Sequence, residues 1–201
     1  MRLFAAVLPP DSAACELAAA AGALKGLPGA DELRWTPRDS WHFTLAFMAE
    51  VDEGAVPDLT ARLERAAHRT PPFSLALRGG GHFGDRALWA GAAGAPGDTA
   101  ALRLLAQRAD AAARKAGITM EEHRHYRPHL TLARGRGDAG TALAPFADAL
   151  AAFEGTAWTV RELTLVRSNL PRSGVPGERP RYEAVGSWAL GGGAGAPGGA
   201  G

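Results

Sequence analysis

The sequence lacks the features that would indicate an exported, membrane-spanning or disulfide-rich protein. Its 201 residues include one cysteine, Cys15, so no internal disulfide can form and a reducing compartment is expected. We expect Cys15, in an Ala-rich helical stretch, to be a buried and inert thiol. No apolar run approaches the about 18 residues that a membrane span needs, and the short apolar N-terminus reaches Pro9-Pro10 without a small-residue cleavage pattern. These absences predict a cytoplasmic protein.

A large excess of charge of either sign is also missing. The 22 Lys and Arg residues nearly balance the 21 Asp and Glu residues, so the formal net charge is +1. No global field therefore favours wrapping duplex nucleic acid or lying on an anionic membrane, while a small basic site remains compatible with the balance. With 46% apolar residues, the chain is long enough to build a domain with a sizeable core.

Hydrophobic patterning divides the chain into strands and helices. Alternating or short apolar runs predict strands at 2–8, 33–35, 41–48, 73–78, 86–92, 127–134, 156–167 and 181–190. Helical spacing predicts helices at 11–25, 53–68, 99–115 and 141–152. The three glycines at 79–81 are expected to end a strand, and the Gly- and Ala-rich stretch 191–201 is expected to be a disordered tail.

The two halves of this pattern are alike. Residues 1–190 are predicted to form a single domain of two pseudo-repeats, about 1–80 and 86–190, each running strand, helix, strand, helix, strand. An approximate two-fold axis between such units would bring their equivalent strands together at the centre. The middle strand of each half carries a histidine motif, so both motifs are expected in one site.

These two motifs have the form His-apolar-Thr-Leu: His42-Phe43-Thr44-Leu45 and His129-Leu130-Thr131-Leu132. Side chains alternate between the two faces of a strand, so each motif presents an imidazole and a hydroxyl on one face and apolar anchors on the other. Arg134 lies five positions beyond His129, with the opposite parity. It can therefore join His129 only at the end of the strand or after a β-bulge.

Two imidazoles facing one cleft, without a pair of carboxylates, suit general acid and general base catalysis. Their ordinary pKa of about 6.5 lets one ring accept a proton and the other donate one near neutral pH. Thr44 and Thr131 can donate hydrogen bonds to an anion, and Arg134 can add a bidentate cationic contact. A phosphate diester fits this set, because its oxygens need donors, its attacking group needs a base and its leaving oxygen needs an acid.

The paired motifs resemble those of the two-histidine (2H) phosphoesterase superfamily, and more closely those of the bacterial LigT-like RNA 2',3'-cyclic phosphodiesterases. The likeness covers nearly all of residues 1–190 and includes Arg2-Leu3-Phe4, Leu8-Pro9-Pro10, Arg34-Trp35, Gly81-His82-Phe83-Gly84, Leu88-Trp89-Ala90-Gly91, Arg127-Pro128, Leu165-Val166-Arg167-Ser168, Tyr182 and Trp188. The sequence departs from the family pattern at Met48-Ala49, where the family usually carries Leu-Gly.

The resemblance implies an α+β, bilobal 2H phosphoesterase (LigT-like) fold, with two pseudo-symmetric lobes of antiparallel sheet and helices around a central cleft. It implies a reaction without metal, cofactor or ATP that opens a terminal 2',3'-cyclic phosphate of RNA to a 2'-phosphate. By the same resemblance His42 is the proton donor and His129 the proton acceptor, and Thr44, Thr131 and Arg134 bind the phosphate. Relatives can also run the chemistry as 2'-5' RNA ligation.

The expected partner is RNA with a 2',3'-cyclic phosphate end, either single-stranded or a tRNA fragment, bound by a monomer that needs neither a membrane nor a metal. Phe47 and Tyr126 are further candidates for substrate binding, because they flank the motifs and could stack on a terminal base, as could Trp41 and Phe83. Each of these rings also suits the core.

Basic side chains at Arg172, Arg179 and Arg181 could form a rim for single-stranded RNA, and equally suit a solvated loop. The spacing His123-x-His125-x3-His129 would allow a metal site, but no carboxylate or cysteine accompanies it. The sequence also leaves two other functions open. The chain could be a module that binds RNA ends without turnover. It could also be an enzyme of the same superfamily that acts on a small cyclic phosphate.

Overall fold

The computed structural model describes residues 1–121, 126–135, 141–169 and 180–192 of the chain. Within these ranges there are nine strands: β1 Leu3–Val7, β2 Arg34–Trp35, β3 Phe43–Met48, β4 Phe73–Phe83, β5 Ala87–Ala93, β6 His129–Arg134, β7 Trp158–Val160, β8 Glu162–Asn169 and β9 Arg181–Ala189. The same ranges contain four α-helices: α1 Asp11–Leu24, α2 Val56–His68, α3 Pro96–Lys115 and α4 Ala144–Leu150. The predicted α+β class is therefore confirmed.

One antiparallel sheet connects the strands in the order β7-β4-β5-β6-β3-β1-β8-β9, and β2 pairs with β6. The two strands that carry the histidine motifs, β3 and β6, are neighbours at the centre. Strands from the two halves of the sequence pair with each other, since β4 pairs with β5 and β1 pairs with β8. The division into pseudo-repeats at 1–80 and 86–190 stays a prediction.

The core lies on one face of this sheet, which we call the helical face because all four helices contribute buried residues to it. In α2 the buried residues Leu59, Leu63, Ala66 and Ala67 fall on one stripe, as helical periodicity requires. The opposite face, which we call the histidine face, carries a small apolar cluster supplied only by strands: Phe4, Ala6 and Val166, with Phe47 packed against them. Among the described residues, no helix is both long and apolar enough to cross a membrane.

The glycines at 79–81 do not end a strand, contrary to the sequence prediction. β4 continues through them to Phe83, because Gly79 adopts a left-handed φ of 58° and absorbs a register shift between Arg78 and Gly80 as a β-bulge. The longer strand brings Phe83 beside β5. The three glycines therefore lie within the strand and do not stop it.

Several other boundaries differ from the predictions. The predicted strand 156–167 is two strands, because the chain leaves one sheet partner at Arg161 and takes another: β7 pairs with β4, and β8 pairs with β1. Cys15 is exposed on α1, not buried. The predicted tail starts too early, since the amide of Gly191 donates to the carbonyl of Ala67 at 3.2 Å, and residues 193–201 lie outside the described residues.

Gly81 is required by the packing of an aromatic ring on the histidine face. A Cβ at this position would overlap the indole of Trp89, which itself packs on Phe83 with 5.5 Å between ring centroids. Gly81→Ala is therefore expected to lower the free energy of unfolding by about 1–3 kcal/mol, measured by urea denaturation. Gly22→Ala is the control, because no described residue has an atom within 4 Å of a Cβ on exposed Gly22 of α1. It should raise stability by up to about 1 kcal/mol, and equal effects of the two changes would contradict the packing of Gly81 on Trp89.

Candidate active site

The contact between the two central strands brings both motifs to one face. Phe43 of β3 pairs with Leu130 of β6, and both side chains are fully buried on the helical face. The neighbouring motif residues therefore lie on the histidine face. Continuing the antiparallel register by one residue in each direction sets them in two facing pairs: His42 with Thr131, and Thr44 with His129.

Each central strand carries a β-bulge directly after its motif threonine. In β3 the register against β1 skips Leu45, and in β6 the register against β5 skips Leu132. The skipped residue and the alanine after it are both buried, so the alternation of faces is reversed beyond that point. Phe47 and Arg134, each five positions beyond its motif histidine, consequently share the histidine face. The sequence allowed Arg134 into the site only at a strand end or after a bulge, and the bulge is present.

A main-chain carbonyl two residues earlier holds each imidazole through Nδ1. The Nδ1 atom of His42 lies 2.8 Å from the carbonyl oxygen of Ser40, and that of His129 lies 2.7 Å from the carbonyl oxygen of Arg127. Because a carbonyl oxygen can only accept, Nδ1 carries the proton and donates in both rings. The second nitrogen, Nε2, keeps its lone pair on each ring and is the atom available for proton transfer.

Burial makes both imidazoles weaker bases than usual. The pKa of His42 falls from 6.5 to about 4, mainly because burial disfavours the cation, with lesser contributions from His129 and Arg134, while the hydrogen bond to Ser40 opposes the change. The pKa of His129 is also lowered, first by burial and then by Arg134 and Arg127, against its own carbonyl hydrogen bond. Arg134 acts on both rings, so its guanidinium lies within electrostatic reach of each.

Two aromatic rings hold His42 in place. Phe4 of β1 stacks on the imidazole, with 4.5 Å between centroids and 25° between planes. Tyr182 of β9 meets the same imidazole edge-on at 5.4 Å, and its ring also contacts Phe4 at 5.2 Å. These contacts displace water from one side of His42, which accounts for the strong effect of burial on its pKa.

A second pair of rings holds His129. Phe83, at the end of β4, meets the imidazole edge-on at 4.9 Å, and Trp89 of β5 lies at 6.3 Å. The indole nitrogen of Trp89 is buried and has no hydrogen-bond partner in the described ranges of the chain. Each histidine is therefore flanked by one ring from the adjacent strand and one from a strand farther out.

Three side chains that could donate hydrogen bonds to an anion lie on the same face as the two imidazoles. Thr44 and Thr131 are half-buried, and neither hydroxyl has a protein hydrogen-bond partner among the residues the structure describes. Arg134 is exposed and forms no ion pair within those residues. A tetrahedral oxyanion between the imidazoles would give these groups the partners they lack.

The other predicted site residues lie in different environments. Phe47 is on the histidine face, packed against the cluster of Phe4. Tyr126 packs against the core, and burial raises the pKa of its phenol, whose hydroxyl has no partner among the described residues. Its role in substrate binding stays a prediction. Trp41 is buried and donates its indole N–H to the carbonyl of Thr36 at 3.2 Å, which suits the core.

The metal alternative gains no support from the described residues, in which no three His, Cys, Asp or Glu side chains form a group that could hold an ion. His123 and His125 lie outside the described residues, as do Arg172 and Arg179 of the predicted basic rim. Arg181 begins β9 and is exposed.

Sequence reasoning missed the groups that orient the imidazoles. The sequence marks Phe4 and Tyr182 only through the family resemblance, although the alternation of faces along a strand places Phe4 on the face away from Leu3 and Ala5. The hydrogen bonds that the imidazoles donate to the carbonyls of Ser40 and Arg127 depend on local backbone geometry. The backbone two residues before each histidine directs its carbonyl oxygen toward Nδ1. The two residues that supply these carbonyls, a serine and an arginine, share no residue type that would predict this geometry.

Comparisons with known proteins agree with this geometry. The model of the 2'-5' RNA ligase superfamily matches residues 9–172. An RNA 2',3'-cyclic phosphodiesterase of Geobacillus stearothermophilus is 31% identical over 164 residues, a match covering 78% of this chain and 47% of that protein. The chain thus corresponds to about half of that relative's length. An RNA 2',3'-cyclic phosphodiesterase of Thermus thermophilus is 29% identical over 180 residues, covering 87% of this chain and 85% of that protein.

Solved structures share the whole fold. A protein of Thermus thermophilus superposes with a TM-score of 0.73 at 28% identity, covering 96% of this chain and 99% of that one. LigT of E. coli, crystallised with 3'-AMP, superposes with a TM-score of 0.72 at 27% identity, covering 94% and 97%. The predicted LigT-like fold and the resemblance to the 2H phosphoesterases are confirmed. The chain belongs to the 2'-5' RNA ligase superfamily.

Proposed function

We propose that this protein is a phosphodiesterase that opens the 2',3'-cyclic phosphate at an RNA end and leaves a 2'-phosphate. The observation that carries the proposal is the pairing of two imidazoles on one face, each held through Nδ1–H and each with Nε2 available for proton transfer. Proton transfer at two points is what a phosphate diester requires when water replaces an alcohol oxygen.

The reaction is a single displacement at phosphorus. Nε2 of His129 takes a proton from water as the water oxygen bonds to phosphorus. The bond from phosphorus to the ribose 3'-oxygen breaks on the opposite side, and Nε2–H of His42 gives its proton to that oxygen. The product carries a 3'-hydroxyl and a 2'-phosphate. A ribose 5'-hydroxyl in place of water would form a 2'-5' linkage by the same step.

Charge on the phosphate is balanced by the groups beside the rings. The hydroxyls of Thr44 and Thr131 can donate to the non-bridging oxygens, and the guanidinium of Arg134 can add a charge-assisted contact where negative charge grows in the transition state. These donors occupy fixed strand positions next to the histidines. They are therefore preorganised for an anion and need little rearrangement during the reaction.

The acid must be an imidazolium, because Nδ1–H is already engaged with a carbonyl and Nε2 needs a second proton. The burial that lowers the pKa of His42 to about 4 makes this cation scarce in the free protein at neutral pH. A bound phosphate anion favours the charged form and raises the pKa again. Substrate binding would thus favour the protonated form of His42 that the reaction needs as its acid.

The relatives support the choice of substrate. Three of the similar proteins bear the name RNA 2',3'-cyclic phosphodiesterase, and E. coli LigT has been crystallised with 3'-AMP, ATP, NADP+ and phosphate. Nucleotide phosphates therefore bind to a neighbour of the same fold. The activity proposed for this chain follows from its own histidine pair together with that likeness.

Removing either imidazole tests the proposed roles. His42→Ala and His129→Ala are each expected to reduce kcat on an oligonucleotide with a 2',3'-cyclic phosphate end by about 10²–10⁴-fold, because each deletes one proton transfer. Chromatography of the product, with EDTA present because the proposed step uses no metal ion, measures the rate. His68→Ala is the matched control, since His68 is exposed at the end of α2. Full activity in either motif variant would refute the mechanism.

The pH dependence of kcat/KM follows from the lowered pKa values. The active free enzyme has one protonated and one neutral imidazole, so kcat/KM should rise as pH exceeds the lower pKa and fall as pH exceeds the higher one. Because the pKa of His42 is about 4 and that of His129 is below 6.5, the maximum should lie on the acidic side, between about pH 4 and 6.5. Unperturbed imidazoles would instead place it near neutrality. A maximum of kcat/KM above pH 7 would contradict these pKa shifts.

A further inference from the structure

Arg2 is a cation on the histidine face to which the described residues supply no anionic partner. It directly precedes β1 and has the parity of Phe4, the residue stacked on His42. Its guanidinium carbon lies 5.1 Å from the centroid of the Phe47 ring. Its Nε atom is buried without a hydrogen-bond partner, and it forms no ion pair in the part of the chain that the structure describes.

This arrangement favours an anionic ligand. A buried donor on a charged group costs free energy when it is left unpaired, and native structures rarely keep one without a reason. The guanidinium carbon lies over the Phe47 ring, and the guanidinium forms no hydrogen bond within the described residues. Arg2 is thus positioned like a side chain prepared for a phosphate or carboxylate.

The anion at Arg2 differs from the reacting phosphate. Arg134 shifts the pKa of both histidines, whereas Arg2 is not among the groups that shift the pKa of either. Arg2 also lies two strand residues, about 6.6 Å, beyond Phe4 along β1. Arg2 therefore lies farther along β1 than the aromatic ring that stacks on His42.

The direction of the reaction indicates which anion this is. If His129 activates water, the leaving 3'-oxygen and its ribose lie on the His42 side of the phosphorus. β1 borders β3 on that side, and Arg2 lies on the histidine face there. The next phosphate attached to that ribose is the one at its 5'-oxygen.

We propose that Arg2 binds the phosphate on the 5' side of the terminal nucleotide. The protein would then have a second phosphate subsite, which selects RNA ends over nucleosides that carry only the cyclic phosphate. This inference rests on the proposed function and on the assignment of His42 to the leaving oxygen.

Two small substrates separate the subsite from the chemistry. The first is adenosine 2',3'-cyclic phosphate with a free 5'-hydroxyl, and the second is the same nucleotide with a 5'-phosphate. We expect the wild-type kcat/KM to favour the second by about ten- to hundred-fold, the range for a hydrogen bond to a charged group. Arg2→Met, which keeps the apolar contact with Phe47 and removes the charge, should bring this ratio close to one. Arg2→Lys should retain part of the preference.

Arg167→Met is the matched control. Its Nε is likewise buried without a partner among the described residues, and β8 pairs with β1 through Leu3 and Arg167. Its side chain shares the helical face with Leu3, however, and lies 3.8 Å from the carboxylate of Glu183. Arg167→Met should therefore keep the wild-type ratio, and thermal unfolding should show that all variants fold.

The outcomes separate failure of the Arg2 subsite from failure of the proposed phosphodiesterase activity. A wild-type ratio near one would overturn the subsite while leaving the proposed function intact. So would an equal loss on both substrates in Arg2→Met, or the same collapse of the ratio in Arg167→Met. If Arg2→Met does not fold, the wild-type ratio and Arg2→Lys decide the question. If the wild type opens neither compound, an oligonucleotide with a 2',3'-cyclic phosphate end decides the outcome. No turnover of the oligonucleotide would refute the proposed function and the subsite with it, whereas turnover of the oligonucleotide alone would leave the function intact and overturn the subsite.

Discussion

The antiparallel contact between β3 and β6, sealed by Phe43 and Leu130, is the constraint on which the site depends. Burying each of these side chains stabilises the fold by about 1.5–3 kcal/mol. A slip of one residue in either strand would turn its histidine into the core and its apolar anchors into the cleft, so burial fixes the register strongly. The chemistry on the histidine face is therefore held in place by packing on the helical face.

The two halves of the site are alike in backbone but not in charge. The same bulge follows each motif threonine, yet it presents Phe47 in one strand and Arg134 in the other. The cation near the two imidazoles consequently comes from the His129 side, while the equivalent position on the His42 side is the Phe47 ring, with Arg2 over it. A symmetric backbone with asymmetric side chains is what a displacement reaction needs, because the attacking and leaving groups differ.

The sequence predicts the histidines and threonines of this site well, and it predicts the details of strand pairing and burial less well. His42, His129 and their threonines follow from strand alternation, because period two is a local property. The sequence shows that Arg134 needs a bulge or a strand end to reach the site, but it does not show which is present. A bulge is defined by the pairing of a strand with its neighbour, and that pairing is known only from the structure. The exposure of Cys15 was missed for a related reason. Its helix is rich in alanine on every side, so composition does not tell which face is buried.

The proposed mechanism requires both imidazoles to act on one phosphate held between them. The most direct test is a histidine-selective NMR titration of the wild-type protein, free and saturated with a nucleoside 2'-phosphate. In the free protein both pKa values should lie below 6.5, with that of His42 near 4, and both should rise when the phosphate binds. A rise at only one ring, or at neither, would contradict the account.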